Sequence, residues 1–197
     1  MAIDDLGREV SANASSRDRW IAVYIGALAV VLAICALGGG NAMKDATGSN
    51  IETANTWAFF QAKNMRRHVL RLQIDELETL LSTQSGLDDS ARAMITQKIA
   101  KYRQQDAQLT SDPASGEGLD ELFAKAKALE ERRDLALERD PYFDYGQALL
   151  QIAIVLASVA IISGGNALLA VSGLLGLVGS LLTFNGFAML WKLPFIG

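Results

Sequence analysis

The chain has 197 residues, of which half are hydrophobic and a fifth are charged, and its formal net charge is −4 at neutral pH. This balance excludes nucleic acid as an expected partner, since nucleic-acid binding requires a concentrated basic face. Charged and apolar residues hardly mix, because residues 21–41, 146–163 and 166–190 contain no charge. A soluble domain interleaves the two kinds of residue at helical or strand period, so these blocks predict an all-α membrane protein with three transmembrane helices.

Residues 20–40 form the first predicted transmembrane helix, after a short N-terminal segment of residues 1–19. The apolar run has about the length that a helix needs to cross roughly 30 Å of hydrocarbon, and Trp20 supplies an interfacial aromatic. The same segment also fits a cleavable signal peptide, since it has a basic start, an apolar core and the small residues Ala36 and Gly38. Cleavage there would leave a protein with two spans. We expect a retained span, because the apolar run is long.

The charged residues 41–140 predict a water-exposed helical hairpin between the first and second spans. Its first ten residues, 41–50, are small and polar, so we expect a flexible junction there. Helical patterns follow, separated by breaks at 84–86 and 111–118, and they cover residues 51–82, 90–109 and 119–139. Narrow apolar stripes on otherwise charged helices are typical of a coiled coil, so we predict a coiled-coil hairpin.

The first hairpin helix carries two apolar stripes that are shifted relative to each other. The first stripe comprises Ile51, Ala54, Ala58, Met65, Val69 and Leu72, and the second comprises Leu70, Ile74, Leu77 and Leu81. After the break, Asp88 or Asp89 can cap the second hairpin helix, because an aspartate oxygen accepts from the free amides of the first turn.

A basic run and an aromatic cluster on the first hairpin helix are interaction candidates. The basic run comprises Lys63, Arg66, Arg67 and Arg71, and we expect it to pair with acidic residues of the returning helix, such as Glu130, Glu131, Asp134 and Glu138. Binding of an anionic lipid or of a protein partner is the alternative. Trp57, Phe59 and Phe60 cannot share one narrow stripe, so some of them must face headgroups, a sister protomer or a partner.

Residues 141–163 and 167–192 are the second and third predicted transmembrane helices, joined by a tight polar turn and followed by a short tail, 193–197. Asp140 can cap the second span, and Pro141 suits its first helical position, where no amide bond is lost. The aromatic residues that we expect at headgroup level are Tyr142, Phe143 and Tyr145.

Small residues recur along all three spans and let helix backbones approach closely in lipid, where packing drives association. We therefore predict a tight three-helix bundle or contacts between protomers. The helix-packing or oligomer contacts are Gly26, Ala29, Ala33, Ala153, Ala157, Ala160, Gly173, Gly176 and Ser180. The intramembrane polar residues Gln151 and Asn185 fall in the same half of the bilayer if the last two helices are antiparallel, so we predict that they hydrogen-bond to each other.

The sequence holds no constellation of residues for catalysis, for a cofactor or for a metal. The only cysteine, Cys35, lies inside the first apolar block, and the only histidine, His68, follows two arginines. One cysteine and one histidine cannot supply ordinary zinc ligation. We expect no enzyme, no cofactor and no metal site.

Two segments carry a family resemblance, ANTWAFFQAK at residues 54–63 and ALLQIAIVLAS at residues 148–158. With Asn41, Asn185 and Gly186, they make the chain similar to the bacterial family catalogued as domain-of-unknown-function family 4337. The resemblance runs from the first span to the end; it implies an inner-membrane protein of unknown function and supplies no catalytic residues. Family members typically carry basic residues between the last two spans, whereas this chain has an uncharged turn.

Three spans place the N-terminus on one side of the membrane and the hairpin on the other. The arginines just before the first span favour a cytoplasmic N-terminus and a periplasmic hairpin in a multi-pass protein of the bacterial inner (plasma) membrane. We expect a self-associating scaffold or an accessory subunit of a membrane complex, whose partners are the lipid bilayer and either further copies or a membrane-complex subunit. The alternative is an oligomeric channel or transporter with a pore lined by the third span, at Thr183 and Asn185.

Overall fold

The computed structural model describes residues 16–192, and within that range the chain forms four helices and no strand. The helices are α1 (Ser16–Thr83), α2 (Asp89–Thr110), α3 (Leu119–Ser163) and α4 (Asn166–Ala188). The chain divides into an apolar unit, Met1–Ala46 with Asp134–Gly197, and a polar unit, Thr47–Arg133. The expectations for residues 1–15 and for the tail 193–197 lie outside the described residues.

Three of the helices, α1, α3 and α4, are long and apolar enough to cross a membrane. Helices α1 and α3 have 68 and 45 residues, which is far more than the roughly 20 that a span requires. Each therefore contributes one apolar stretch and one charged stretch, as the charge-free blocks of the sequence indicate. The all-helical fold with three helices able to span a membrane is confirmed.

Helix α1 continues without a break through Gly40 and through residues 41–50, so the expected flexible junction is wrong. Gly38 and Gly39, just before this segment, have no side chains and so make room for the ring of Phe143. A Cβ on Gly38 would fall onto that ring and would lie 2.7 Å from Cζ of Phe187. Tertiary packing therefore holds a helix where the composition alone predicts fraying.

Helix α3 also runs unbroken, with Pro141 inside it, so the expected helix start at Asp140 and Pro141 is wrong. Proline has no amide hydrogen, so the carbonyl of Leu137 loses the donor that an ordinary residue would supply. The rest of the helix and the burial of Tyr142 and Phe143 outweigh this local cost.

The continuity of α3 also changes the role of the aromatic residues after Pro141. Tyr142 and Phe143 are each 2% exposed, whereas Tyr145 is 53% exposed. The Tyr142 hydroxyl donates to the carbonyl of Trp191 at 3.0 Å, and the Phe143 ring meets Phe187 edge-on with centroids 4.9 Å apart. Tyr142 and Phe143 therefore pack inside the apolar unit and do not face outward as an aromatic girdle would, whereas Tyr145 does; the depth of the three in the membrane stays a prediction.

Many core residues of the apolar unit occupy positions that recur every seven residues along each helix. They are Ile21, Leu28, Cys35 and Ala42 on α1, Phe143, Leu150 and Ala157 on α3, and Ser172, Gly179 and Gly186 on α4. A seven-residue repeat keeps one seam of each helix turned toward its neighbours, and it does so across most of the unit.

The breaks within the polar unit lie where the sequence indicates. Helix α1 ends at Thr83, and Asp88 caps α2 by accepting from the backbone amide of Ala91 at 2.6 Å. The loop before α3 is closed by Glu121, which accepts from the Ser111 hydroxyl at 2.7 Å and from the Asp112 amide at 3.1 Å. The predicted loops and the Asp88 cap are confirmed.

Candidate functional site

Helices α3 and α4 come into backbone contact at a pair of glycines. A Cβ on Gly179 would lie 3.0 Å from the carbonyl oxygen of Gly146, and a Cβ on Gly146 would lie 3.2 Å from the carbonyl oxygen of Gly179. Either methyl group would press on the facing backbone, so glycine on both helices allows them to approach this closely. Close backbone approach of this kind is a main source of helix association in lipid.

Side-chain hydrogen bonds link all three helices of the apolar unit. The Tyr24 hydroxyl on α1 donates to the carbonyl of Ser172 at 2.9 Å, and the Ser172 hydroxyl on α4 donates to the carbonyl of Ala153 on α3 at 2.7 Å. The Cys35 thiol donates to the carbonyl of Phe143 at 3.2 Å. The few polar side chains in this core are therefore occupied by backbone acceptors.

The small residues that the sequence singled out fall into two groups. Ala153, Ala157, Ala160 and Gly176 are buried, Gly173 and Ser180 are half-buried, and Gly26, Ala29 and Ala33 are exposed. The buried group packs within the chain. The exposed group on α1 lies at the surface of the single chain, and its part in contacts between protomers stays a prediction.

The two intramembrane polar residues do not form the expected pair. Asn185 is 3% exposed and caps its own helix: its side-chain oxygen accepts from the amides of Leu190 at 3.1 Å and Trp191 at 3.0 Å, and its side-chain nitrogen donates to the carbonyl of Trp191 at 2.8 Å. Gln151 is exposed. The predicted hydrogen bond is wrong because α4 ends at Ala188 and the turn after it takes the hydrogen bonds of Asn185.

The side chain of Thr183 is likewise turned inward. It is 4% exposed and donates to the carbonyl of Gly179 one turn earlier at 2.8 Å. Since Thr183 and Asn185 are both buried and bonded within the chain, neither side chain faces outward on α4 as a pore-lining residue would.

The basic run on α1 pairs with other acidic residues than the sequence predicted. Arg71 contacts Asp106 through two hydrogen bonds of 2.9 and 3.0 Å, and Arg67 lies 3.4 Å from the same carboxylate. Lys63 pairs with Glu117 at 3.7 Å. The expectation of partners on the returning helix is therefore wrong for these three residues, because α2 and the loop after it lie beside this part of α1.

These pairs shift the titration of the aspartate. The hydrogen bond from Arg71 lowers the pKa of Asp106, and the charges of Arg71 and Arg67 lower it further. The carboxylate is therefore held ionised between two guanidinium groups on successive turns of α1.

Arg66 lines an open cavity of about 500 Å³ at one end of the basic run. Its wall combines Lys63 and Arg66 with the carboxylates of Asp112 and Glu117, and Leu70 supplies an apolar patch. The charges of the four groups balance, so the cavity provides no concentrated positive field for an anion.

The three aromatic residues on α1 separate into a packed pair and an exposed ring. Trp57 meets Phe60 and Phe123 edge-on at centroid distances of 5.3 and 5.6 Å, and its indole nitrogen donates to Glu130 at 2.9 Å. Phe59 is 40% exposed. Of these three, Phe59 is the ring that is left exposed, so the expectation that some of them face another surface stays a prediction for Phe59.

Phe59 lies beside a longer exposed face of α1 in the polar unit. The large apolar side chains on this face and their exposed fractions are Ile51 (57%), Met65 (66%), Val69 (49%) and Leu72 (64%). They coincide with the first apolar stripe of the sequence, whereas the second stripe, from Leu70 to Leu81, is buried or half-buried. The two stripes therefore face different surroundings.

Sequence reasoning missed several residues of the apolar core. Ser172 and Gly179 are buried contacts of α4, and Gly146 is their counterpart on α3. Counting by sevens along α4 from Ser172 through Gly179 to Gly186 would have found this seam. Between residues 16 and 192, no group of three or more His, Cys, Asp or Glu side chains is arranged to hold a metal ion.

These features define an all-helical protein with three helices able to cross a membrane and a separate, charged helical unit. Within that class, the chain belongs to the family described as domain of unknown function (DUF4337), whose model matches residues 17–189. Comparisons with curated proteins and with solved structures give no match. The family that the two sequence segments indicated is confirmed.

Proposed function

We propose that this chain is a membrane-anchored scaffold or accessory subunit that associates with further copies of itself or with another subunit of a membrane complex. The observation that carries the proposal is the exposed apolar face of α1 in the polar unit, at Ile51, Met65, Val69 and Leu72. Apolar side chains that are exposed together within a charged unit mark a protein contact, because water is a poor solvent for them.

The apolar unit supplies the anchor in this proposal. Its three helices would cross the bacterial inner membrane, with the N-terminus in the cytoplasm and the polar unit in the periplasm. The exposed small residues Gly26, Ala29 and Ala33 leave room for close approach by a helix of another protomer. The role is structural and requires no catalytic group.

A scaffold has more support than a channel lined by α4. A pore needs polar side chains that face its lumen, whereas Thr183 and Asn185 are buried and bonded within the chain. Flux through liposomes that changes in Asn185→Leu would favour the channel instead.

The proposal is tested by the mass of the assembly in lipid. We expect the full chain, extracted from its own membrane into native nanodiscs, to give masses of two or more copies or of a stoichiometric complex with a second protein by native mass spectrometry. We expect these masses to remain when the nanodisc sample is diluted. A strict monomer without a co-purifying subunit would contradict the proposal.

A further inference from the structure

We propose that the exposed face of α1 in the polar unit forms a parallel, two-stranded coiled coil with the same face of a second copy of this chain. The inference rests on the proposed function, and it specifies the partner, the surface and the register. We call this face the outer seam; its members are Ile51, Asn55, Ala58, Ala62, Met65, Val69 and Leu72.

The outer seam has the spacing of a coiled-coil core. Successive members are separated by alternating steps of four and three residues, and all seven are exposed. In heptad notation, Ile51, Ala58, Met65 and Leu72 occupy d positions, and the residues between them occupy a positions. A helix with this repeat over three heptads has its apolar seam on one side and requires a partner helix to bury it.

A second seam on α1 is already occupied by the chain's own helices. It follows the same steps of four and three, and its members are Ser49, Thr53, Thr56, Phe60, Lys63, Arg67, Leu70, Ile74, Leu77 and Leu81. All are buried or half-buried. Since Ile51 follows Ser49 by two residues, the two seams lie about 200° apart around the helix, on nearly opposite sides. The outer seam is therefore free of the contacts that hold the polar unit together.

The anchor determines the direction of the second helix. Two copies inserted into one membrane with the same topology present α1 in the same direction, so a two-fold axis along the membrane normal brings identical residues face to face. Asn55 then meets the partner's Asn55. An amide is both donor and acceptor, so the two side chains can hydrogen-bond to each other, and a single asparagine at an a position favours a two-stranded, in-register pair.

The residues beside the seam are compatible with this pairing. In a parallel pair, the residue before each a position approaches the residue five positions later on the partner. These pairs are Ala54 with Phe59, Gln61 with Arg66, and His68 with Gln73. No pair brings like charges together, and Phe59 extends the apolar surface next to Ala58.

The membrane surface is a less suitable partner for the outer seam than a second helix. A helix that lies in the headgroup region has a broad apolar side, whereas the outer seam is one residue wide in places and has Glu52, Arg66 and Asp75 beside it. The small residues Ala58 and Ala62 at its centre bury little area by themselves. We therefore expect the pair to depend on the anchor, which raises the effective concentration of one helix near the other.

Disulfide crosslinking of the full chain in its membrane tests the seam. In a Cys35→Ser parent, Met65→Cys places one thiol at a d position, where the two-fold axis brings it next to its own copy within disulfide reach. Met94→Cys, on α2, is the matched control, since Met94 is as exposed as Met65 (65% and 66%) but lies on another helix. We expect mild oxidation to give a crosslinked dimer with Met65→Cys and little with Met94→Cys.

The Cys35→Ser parent, without either new cysteine, is measured as well, so that failure of this inference can be distinguished from failure of the proposed function. If native mass spectrometry shows copies of the parent together but Met65→Cys crosslinks no better than Met94→Cys, the seam is wrong and self-association stands. If the parent is a monomer with no second subunit, both fail. A complex of one copy with a different subunit would also overturn the seam, while it would leave the role of accessory subunit intact.

A charge variant provides a second, independent measurement. We expect Met65→Glu with Leu72→Glu to lower the dimer population about ten-fold or more, because each glutamate would face its own copy across the axis. Met94→Glu should leave the dimer unchanged. All three side chains are exposed in the single chain, so the polar unit should fold in each variant, which circular dichroism checks. An unchanged dimer in the double variant would overturn the proposal.

Discussion

Several glycines of the apolar unit contribute through the space that a missing side chain leaves. Gly38 on α1 and Gly186 on α4 both face the ring of Phe143, and a Cβ on Gly186 would lie 2.9 Å from its Cε1 atom. Gly179 allows backbone contact with Gly146 on the neighbouring helix. Water does not drive apolar helices together within lipid, so such close contacts contribute much of the stability of the bundle.

Substitution of one packed and one open glycine tests this account. We expect Gly179→Ala to lower the stability of the apolar unit by about 1–3 kcal/mol, because the new methyl group would press on the Gly146 carbonyl and on Leu150. Gly40→Ala is the control, since a Cβ there meets nothing within 4 Å and alanine favours the helix by about 0.5–1 kcal/mol. Thermal unfolding in detergent measures both variants, and equal midpoints would contradict the proposed packing.

The ion pairs of Asp106 predict a small dependence of stability on pH. Hydrogen bonding from Arg71 lowers the pKa of Asp106 in the folded chain, so its contribution to stability is present above about pH 4, the range of the unfolded group. The contribution is lost as the pH falls through the lowered folded value. We expect Asp106→Asn to be less stable than the parent near pH 6, and the difference to shrink as the pH falls below about 4, by chemical denaturation. A constant difference across this range would contradict the ion-pair account.

At the scale of the elements, α1 and α3 are each one helix where the sequence suggested two. Glycine and proline weaken a helix locally, but continuous buried seams on both sides of the weak point stabilise it. On α3, positions separated by seven residues are buried or half-buried from Leu122 to Ala157. The buried seam therefore continues past Pro141 on the same side of the helix.

Replacement of Pro141 distinguishes a continuous helix from a helix start. We expect Pro141→Ala to raise stability by up to about 3 kcal/mol, because alanine restores an amide that can bond to the Leu137 carbonyl. Pro113→Ala, in the loop between α2 and α3, should have little effect or a small opposite one. Thermal unfolding in detergent compares the two, and a loss of stability in Pro141→Ala would contradict the continuous helix.

For the whole molecule, the proposal that all three helices cross the membrane predicts that the α1–α2 loop and the α3–α4 turn lie on opposite sides. The loop contains Ser85 and the turn contains Ser163, and both residues are exposed. Each can be replaced by cysteine in a Cys35→Ser parent with little change in size.

The proposed orientation predicts which of the two cysteines is accessible from outside the cell. We expect Ser85→Cys to react with an impermeant thiol reagent in intact cells and Ser163→Cys to react only after lysis, because the arginines before the first span favour a cytoplasmic N-terminus. The opposite pattern would reverse the orientation. Labelling of both sites in intact cells would contradict the three spans.

Much of the fold could be predicted because long apolar runs and loop residues act locally. The charge-free blocks predicted three helices that can span a membrane, and the Asp88 cap and the loop before Leu119 lie where their residues indicate. The partners of Arg71 and Asn185 could not be predicted. Their hydrogen bonds depend on which helices lie side by side and on where α4 ends, and the local sequence specifies neither.

The sequence by itself determined the class of protein, since segregation of charge from apolar residues decides which segments can leave water for lipid. It also contained both apolar stripes of α1. Only the tertiary structure decided which stripe is used within the chain: the helices of the polar unit cover the one from Leu70 to Leu81 and leave Ile51, Met65 and Leu72 exposed. The physical reason is that burial depends on the positions of neighbouring helices, whereas period and composition depend on the chain alone.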